Sequence, residues 1–227
     1  MNWLNQLFTD LGINVAEYPP LEIILLGFGF IFWILAYYGI LKGVRKYKIV
    51  EIPMLVVAMD IAWEFNWAFL LENNFGRIFS LGCAAWFFMD CFINYYTLRY
   101  GKKLVTNRWI SSKYLIIWAF VLIGSFIIIY FMRELAEDNG LGVISAYLIN
   151  LNISALYLYQ LLNYPEYRNR GFSYNVAWYK FLGTGFITIV CFMHWSHNWF
   201  LLTMCTMVVI MDVTYIYLFK NYKPTVA

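Results

Sequence analysis

Apolar residues gather into seven stretches of about 20 residues or more, and charged residues fall mostly between them. A bilayer's hydrocarbon core is about 30 Å thick and takes about 20 residues of α-helix to cross. The pattern therefore predicts seven spanning helices, at roughly 21–43, 49–73, 76–99, 111–133, 141–163, 174–196 and 198–219. Only the turn around HWSHNW separates the last two, the linkers are short, and no low-complexity tract occurs. The first 20 residues, MNWLNQLFTDLGINVAEYPP, mix apolar and acidic positions. They lack the basic region and short apolar core of a cleaved leader, and predict a short helix lying at the interface. The expected fold is all-α: an interfacial segment at 1–20, a seven-helix transmembrane bundle at 21–219 and a tail at 220–227.

Composition sharpens this picture. Hydrophobic residues make up 63% of the chain, aromatic ones 22% and charged ones 13%, with a mean hydropathy of +0.63. That excludes an ordinary water-soluble domain, which is about half apolar. Lys42, Arg45, Lys46 and Lys48 sit in the first loop; Arg99, Lys102, Lys103, Arg108 and Lys113 in the third; Arg168 and Arg170 in the fifth; Lys220 and Lys223 in the tail. The opposite side carries only Arg77 and Arg133. Basic loops face the cytosol, which places the N-terminus outside and the C-terminus in the cytosol. The net charge of +3 is small and gives no reason to expect a nucleic-acid partner. Cys83, Cys91, Cys191 and Cys205 all fall inside predicted spans without a CxxC pair. They read as apolar packing rather than a metal or redox site. Span three ends MDCFINYYTLRY and span seven ends MDVTYIYLFKNY, with Tyr five and ten residues after the Asp in both. A parallel repeat of spans one to three and five to seven would explain the echo; so would chance between two aromatic-rich helices.

The chemistry lies in acids where lipid should be. Asp60, Glu64, Asp90 and Asp212 fall well inside their spans. A carboxylate in hydrocarbon costs several kcal/mol, so such residues face the bundle interior and mark a functional path. Glu22, Glu51 and Glu72 lie near interfaces, within reach of water. Lys180 lies about two turns into span six and either snorkels or pairs with an acid. Residues four apart on a helix are about 40° apart on the wheel. Asp60, Trp63, Glu64, Trp67 and Leu71 thus form one stripe; Phe79, Cys83, Trp86, Asp90, Asn94 and Thr97 another; Cys205, Asp212, Tyr215 and Phe219 a third. At 1.5 Å rise per residue the four acids fall near mid-depth and can border one cavity roughly 10 Å tall. A proton held there is available for donation, and aromatic faces stabilise a positive charge left nearby. The plainer alternative is that Asp60, Asp90 or Asn94 only tie helices together and that the tryptophans only pack. His194 and His197, beside Trp195 and Trp199, read as part of an aromatic interfacial belt rather than a metal site. The chain has no HExxH, GxSxG or P-loop, no DDxxD cluster and no central lysine in span seven.

The segments AWE at 62–64, WFFMD at 86–90 followed by YYTLRYG at 95–101, KFLGTG at 180–185 and MDVTY at 211–215 resemble one family. It is the small integral-membrane terpene cyclases of fungal meroterpenoid and indole-diterpene pathways, with their bacterial relatives. The resemblance covers nearly the whole chain in motif order, length and number of spans. It implies Glu64 and Asp212 as the essential acids and Asp90 as a further family acid. Asp60 departs from the fungal pattern, where a neutral Asn is usual. The implied reaction is acid-initiated cyclisation of a farnesyl or geranylgeranyl chain, as epoxide or alkene, on a lipophilic acceptor. It needs no diphosphate, metal or other cofactor. Glu64 would donate the proton, and Asp212 would complete the acid site by holding or reloading it. Asp60, Asp90 and Asn94 would bind or orient, and Trp63, Trp67, Trp86 and Tyr215 would wall the cation. The implied partners are the prenylated small molecule and membrane lipids; the implied location is the plasma membrane if bacterial or the endoplasmic reticulum if fungal. The main rival is a proton-coupled carrier of a small solute, which midplane acids also suit.

Overall fold

Inside hydrocarbon no water is present to satisfy backbone N–H and C=O groups, so they bond to one another within helices or closed sheets. The apolar stretches of this chain take the helical solution. The structure, a computed structural model, describes residues 2–136, 138 and 140–222. Among these residues are nine α-helices. They are α1 (Asn2–Asp10), α2 (Pro20–Tyr47), α3 (Met54–Phe65), α4 (Arg77–Tyr100), α5 (Arg108–Ser112), α6 (Tyr114–Leu135), α7 (Val143–Asn163), α8 (Tyr174–His194) and α9 (Trp199–Asn221). Five of them, α2, α4, α6, α8 and α9, are long and apolar enough to cross a membrane.

Two other predicted spans are helical in a different way. The second begins at Met54 rather than near 49, and after Phe65 it continues as a π-turn over Asn66–Leu70. The turn is marked by the bond from the Leu71 N–H to the Asn66 carbonyl at 2.8 Å. The fifth, α7, carries Asn150, Asn152, Ser145, Ser154 and Gln160, which lower its hydropathy without adding charge. Its first turn is held by Asp138, whose carboxylate accepts from the Ile144 N–H at 2.8 Å and the Ser145 N–H at 3.0 Å. A carboxylate there also meets the positive end of the helix dipole.

Six helices close into a ring. In order around it, α2 packs on α8, α8 on α9, α9 on α7, α7 on α3, α3 on α4, and α4 back on α2. Helix α6 stands outside the ring against α3, mostly exposed. The α2–α8 contact is the most extensive. It is close because Gly29 and Gly183 face each other: a Cβ on Gly29 would lie 3.0 Å from the Gly183 carbonyl oxygen. Small residues at such crossings let helix backbones approach where lipid offers no hydrophobic drive. Exchanging α2, α3 and α4 for α7, α8 and α9 maps the ring onto itself, which is the packing a parallel repeat requires.

The connections tie the ends. The chain before α2 is pinned to the α3–α4 loop: the Asn14 N–H bonds the Phe75 carbonyl at 2.9 Å, and the Tyr18 hydroxyl donates to Asn74 Oδ1 at 2.7 Å. Tyr18 stacks on His194, which lies 2.8 Å from the Glu22 carboxylate, so this histidine is held in a polar contact beneath the aromatic turn. Glu22 and Glu51 do not reach water as their positions suggest; both are buried. Glu51, in the α2–α3 connection, accepts from the Ser173 N–H at 3.0 Å through Oε1, while Oε2 has no donor among the described residues. Burial pushes its carboxyl up to about 8.

Gly142 and Glu51 give the fold two measurable signatures. Gly142 has φ +62°, and a Cβ there would collide with the Trp67 ring. Gly142→Ala should therefore cost about 2–4 kcal/mol through backbone strain and overpacking, read as a lower melting temperature in detergent. Glu51 ionises only near pH 8 when folded, against about 4.5 when unfolded. The unfolded chain releases this proton first, so stability should fall as pH rises from about 5 to 8 and level off above. Glu51→Gln should flatten thermal melts across that window.

Candidate active site

Helix α3 carries the site because three ring or flanking helices, α4, α6 and α7, pack around it. Asp60, Trp63 and Glu64 share its inward face and line a cavity of about 90 Å³. Trp33 and Tyr37 of α2, Trp86 of α4 and Asn150 of α7 complete the wall. Trp63 is fixed there by its Nε1, which donates to Ser145 Oγ at 2.9 Å.

Asp90 lies directly behind Glu64. Both side chains are buried, and the Tyr37 hydroxyl sits 3.1 Å from Glu64 Oε1 and 3.1 Å from Asp90 Oδ2. Its single proton serves one carboxyl at a time. Glu64 Oε2 and Asp90 Oδ1 receive no N–H or O–H donor from the described residues. A second polar triad sits across the ring. Lys180 of α8 bonds Asp212 of α9 at 2.6 and 2.7 Å, and Ser154 of α7 donates to Asp212 at 2.8 Å. Lys180 thus takes the second of its two expected options, pairing with an acid. Asp60 stands between the triads, near enough to interact with both Asp90 and Lys180. Under the exchange that maps the ring onto itself, the helices that supply Tyr37, Glu64 and Asp90 correspond to those that supply Ser154, Lys180 and Asp212. One half holds an acid pair, the other an ion pair.

The four acids therefore do not all border one void: Asp60 and Glu64 do, while Asp90 and Asp212 lie behind the wall. Three other expected site residues fall elsewhere. Trp67 is buried under Gly142, beside Trp63 with ring centroids 6.3 Å apart, and does not line the cavity. Asn94 Oδ1 accepts from Trp118 Nε1 at 3.0 Å and ties α4 to α6. Tyr215 packs between Tyr157 and Phe219, with ring centroids 5.5 and 5.8 Å away. Tyr37, Trp33 and Ser154 are the residues that sequence reasoning missed. The Tyr37-Tyr38 pair near the end of its span looks like an interfacial belt. Asn150 and Asn152, polar and uncharged within span five, were the available signal for α7. Among the described residues no three His, Cys, Asp or Glu side chains converge as metal ligands.

Removing one partner from the buried Lys180–Asp212 pair leaves a charge without compensation, at a cost of about 3–5 kcal/mol. Lys180→Met should lower the melting temperature in detergent sharply, and adding Asp212→Asn should recover most of the loss.

Comparison with known proteins adds an independent line. Over 114 residues, 48% of this chain and 44% of the relative, the sequence is 28% identical to terpene cyclase adrI of Penicillium rubens. The match spans less than half the length of that relative. No solved structure matches. Residues 14–224 match the family described as Pyr4-like transmembrane terpene cyclases. With the motifs of α3, α4, α8 and α9 inside that match, the chain belongs to the Pyr4-like transmembrane terpene cyclase family.

Proposed function

We propose that the cavity between Trp33, Trp63 and Trp86 is the active site of an acid-initiated cyclase. Its substrate is a farnesyl or geranylgeranyl chain, carried as epoxide or alkene on a lipophilic acceptor. The observation that carries this reading is the Glu64–Tyr37–Asp90 cluster: two buried carboxyls with one hydroxyl between them, no cation in contact among the described residues, and an aromatic cavity in front. Shared hydrogen between two such carboxyls supplies the donor that Glu64 Oε2 and Asp90 Oδ1 otherwise lack.

Glu64, facing the cavity, gives its proton to the epoxide oxygen or the terminal alkene carbon. The electron pair of the next double bond closes a ring on the cationic carbon, and the charge moves along the chain past the tryptophan faces. A carboxylate, Glu64 or Asp60, takes the final proton, so the enzyme's proton count is restored over the cycle. Asp90 and Tyr37 hold Glu64 in place. Asp212, bonded to Lys180, acts on the acids through that ammonium group rather than by touching substrate. No step draws on a metal or diphosphate. On the same reading all seven long helical segments, α3 with its π-turn and α7 included, are membrane spans, with the N-terminus outside and the C-terminus in the cytosol. The host membrane is the plasma membrane of a bacterium or the endoplasmic reticulum of a fungus.

Expression in a host that makes farnesylated phenolic acceptors, with products compared by mass and chromatography, tests the reading. Glu64→Gln should lower turnover by about 10²–10⁴-fold, the range that general acid catalysis contributes, with the melting temperature retained. Asp90→Asn should act in the same direction. A Glu64→Gln variant that cyclises at the wild-type rate would sink the proposal. The two-fold order of the ring also suits a proton-coupled carrier. Uptake of a small solute by proteoliposomes, with no chemical change to it, is the result that would favour that second reading.

A further inference from the structure

The acid cavity is too small for a whole substrate. It measures about 90 Å³, whereas a cavity of about 150 Å³ takes a single benzene ring. It can hold the reacting end of an isoprenoid and little more. A second cavity of about 300 Å³ starts on the other side of Trp86, whose ring lines both. It lies between α2 and α4, the most sparsely packed junction of the ring.

Two matched stripes form this groove. Ile23, Gly27, Phe30 and Ile34 line it from α2, and Ile78, Gly82, Ala85 and Met89 from α4. Both sets are spaced four, three and four residues apart, the spacing of one helix face. No lining residue carries a charge. Gly27 and Gly82 each face open space: a Cβ built on either meets nothing within 4 Å. They keep the slot clear, and a larger side chain at either position would fill it. From Ile23 to Ile34 the groove runs about 16 Å along the helix axis, comparable with three isoprene units drawn out. Near its inner end Phe30 packs edge-on against Trp86, with ring centroids 5.0 Å apart. This aromatic pair is the partition between groove and acids.

We propose that the groove seats the isoprenoid chain of the substrate and admits it sideways from the bilayer between α2 and α4, with Phe30 and Trp86 as the partition it passes. The assignment rests on the cyclase reading above. Continuity with the acid cavity through Trp86 favours the substrate as occupant over a membrane acyl chain, which would gain nothing from ending at the acids.

Photoaffinity labelling in proteoliposomes tests this directly. The probe is a farnesyl-substituted phenol carrying a diazirine on its chain, run beside a diazirine phospholipid. The farnesyl probe should label the peptides holding Ile23–Ile34 and Ile78–Met89, and unlabelled farnesyl-phenol should compete it away. Gly82→Phe and Gly27→Phe should each reduce that labelling about tenfold or more. They should also raise KM more for a geranylgeranyl-phenol than for a farnesyl-phenol, while melting temperatures hold. Labelling of the groove by phospholipid alone, uncompeted by farnesyl-phenol, would overturn the proposal. So would normal labelling and KM in both phenylalanine variants. Glu64→Gln separates the two readings: it should label like wild type yet fail to cyclise. If Glu64→Gln cyclises normally, the acid mechanism is wrong whatever the groove labels.

Discussion

A carboxyl group taken out of water has to be met by a proton, a cation or a hydrogen-bond donor, and the architecture of this bundle reflects how its acids are met. Glu51 has one backbone donor, Asp138 caps a helix, Glu22 meets His194 and Asp212 meets Lys180. Each of these solves a local desolvation problem with a neighbour supplied by the fold. Glu64 and Asp90 share a single partner, one tyrosine hydroxyl, and one oxygen of each has no donor among the described residues. Unsatisfied groups at that depth are costly and are kept where chemistry needs them.

The two triads show how one helix arrangement can hold opposite chemistries. In each, a hydroxyl from the first helix of a half, an ionisable residue from the second and an aspartate from the third converge. Where the second helix supplies a glutamate, a proton is needed to hold the cluster together; where it supplies a lysine, charge alone suffices. The Met-Asp echo at 89–90 and 211–212 marks the third helix of each half. Asp60 lies near enough to interact with a member of each triad, Asp90 and Lys180.

Much of this was legible in the sequence, and the losses have physical causes. Long apolar runs and their breaks marked the positions of the helices, because in lipid the helix is one of two backbone solutions and needs no long-range partner. Acids inside those runs pointed to the interior for the same reason. The helical wheel grouped Asp60, Trp63 and Glu64, which line one cavity, and also Trp67, which stays beside Trp63 but packs under Gly142, because a wheel gives a direction and not which neighbour fills it. Asn94 and Tyr215 carry the right groups on the right helices, but which face meets which neighbour depends on packing between distant parts of the chain. Lys180 and Asp212 lie 32 residues apart in sequence, and no local pattern joins them.

The π-turn at Asn66–Leu70 also changes how related chains line up with this one. A bond spanning five residues instead of four fits one more residue into a turn without moving its ends, and one residue is about 100° of helix rotation. A relative whose helix stays regular here would be one position shorter between the acid and the α3–α4 loop. Aligned without a gap, its downstream residues would be compared with the wrong face of this helix, while Glu64, which precedes the offset, would still fall in register.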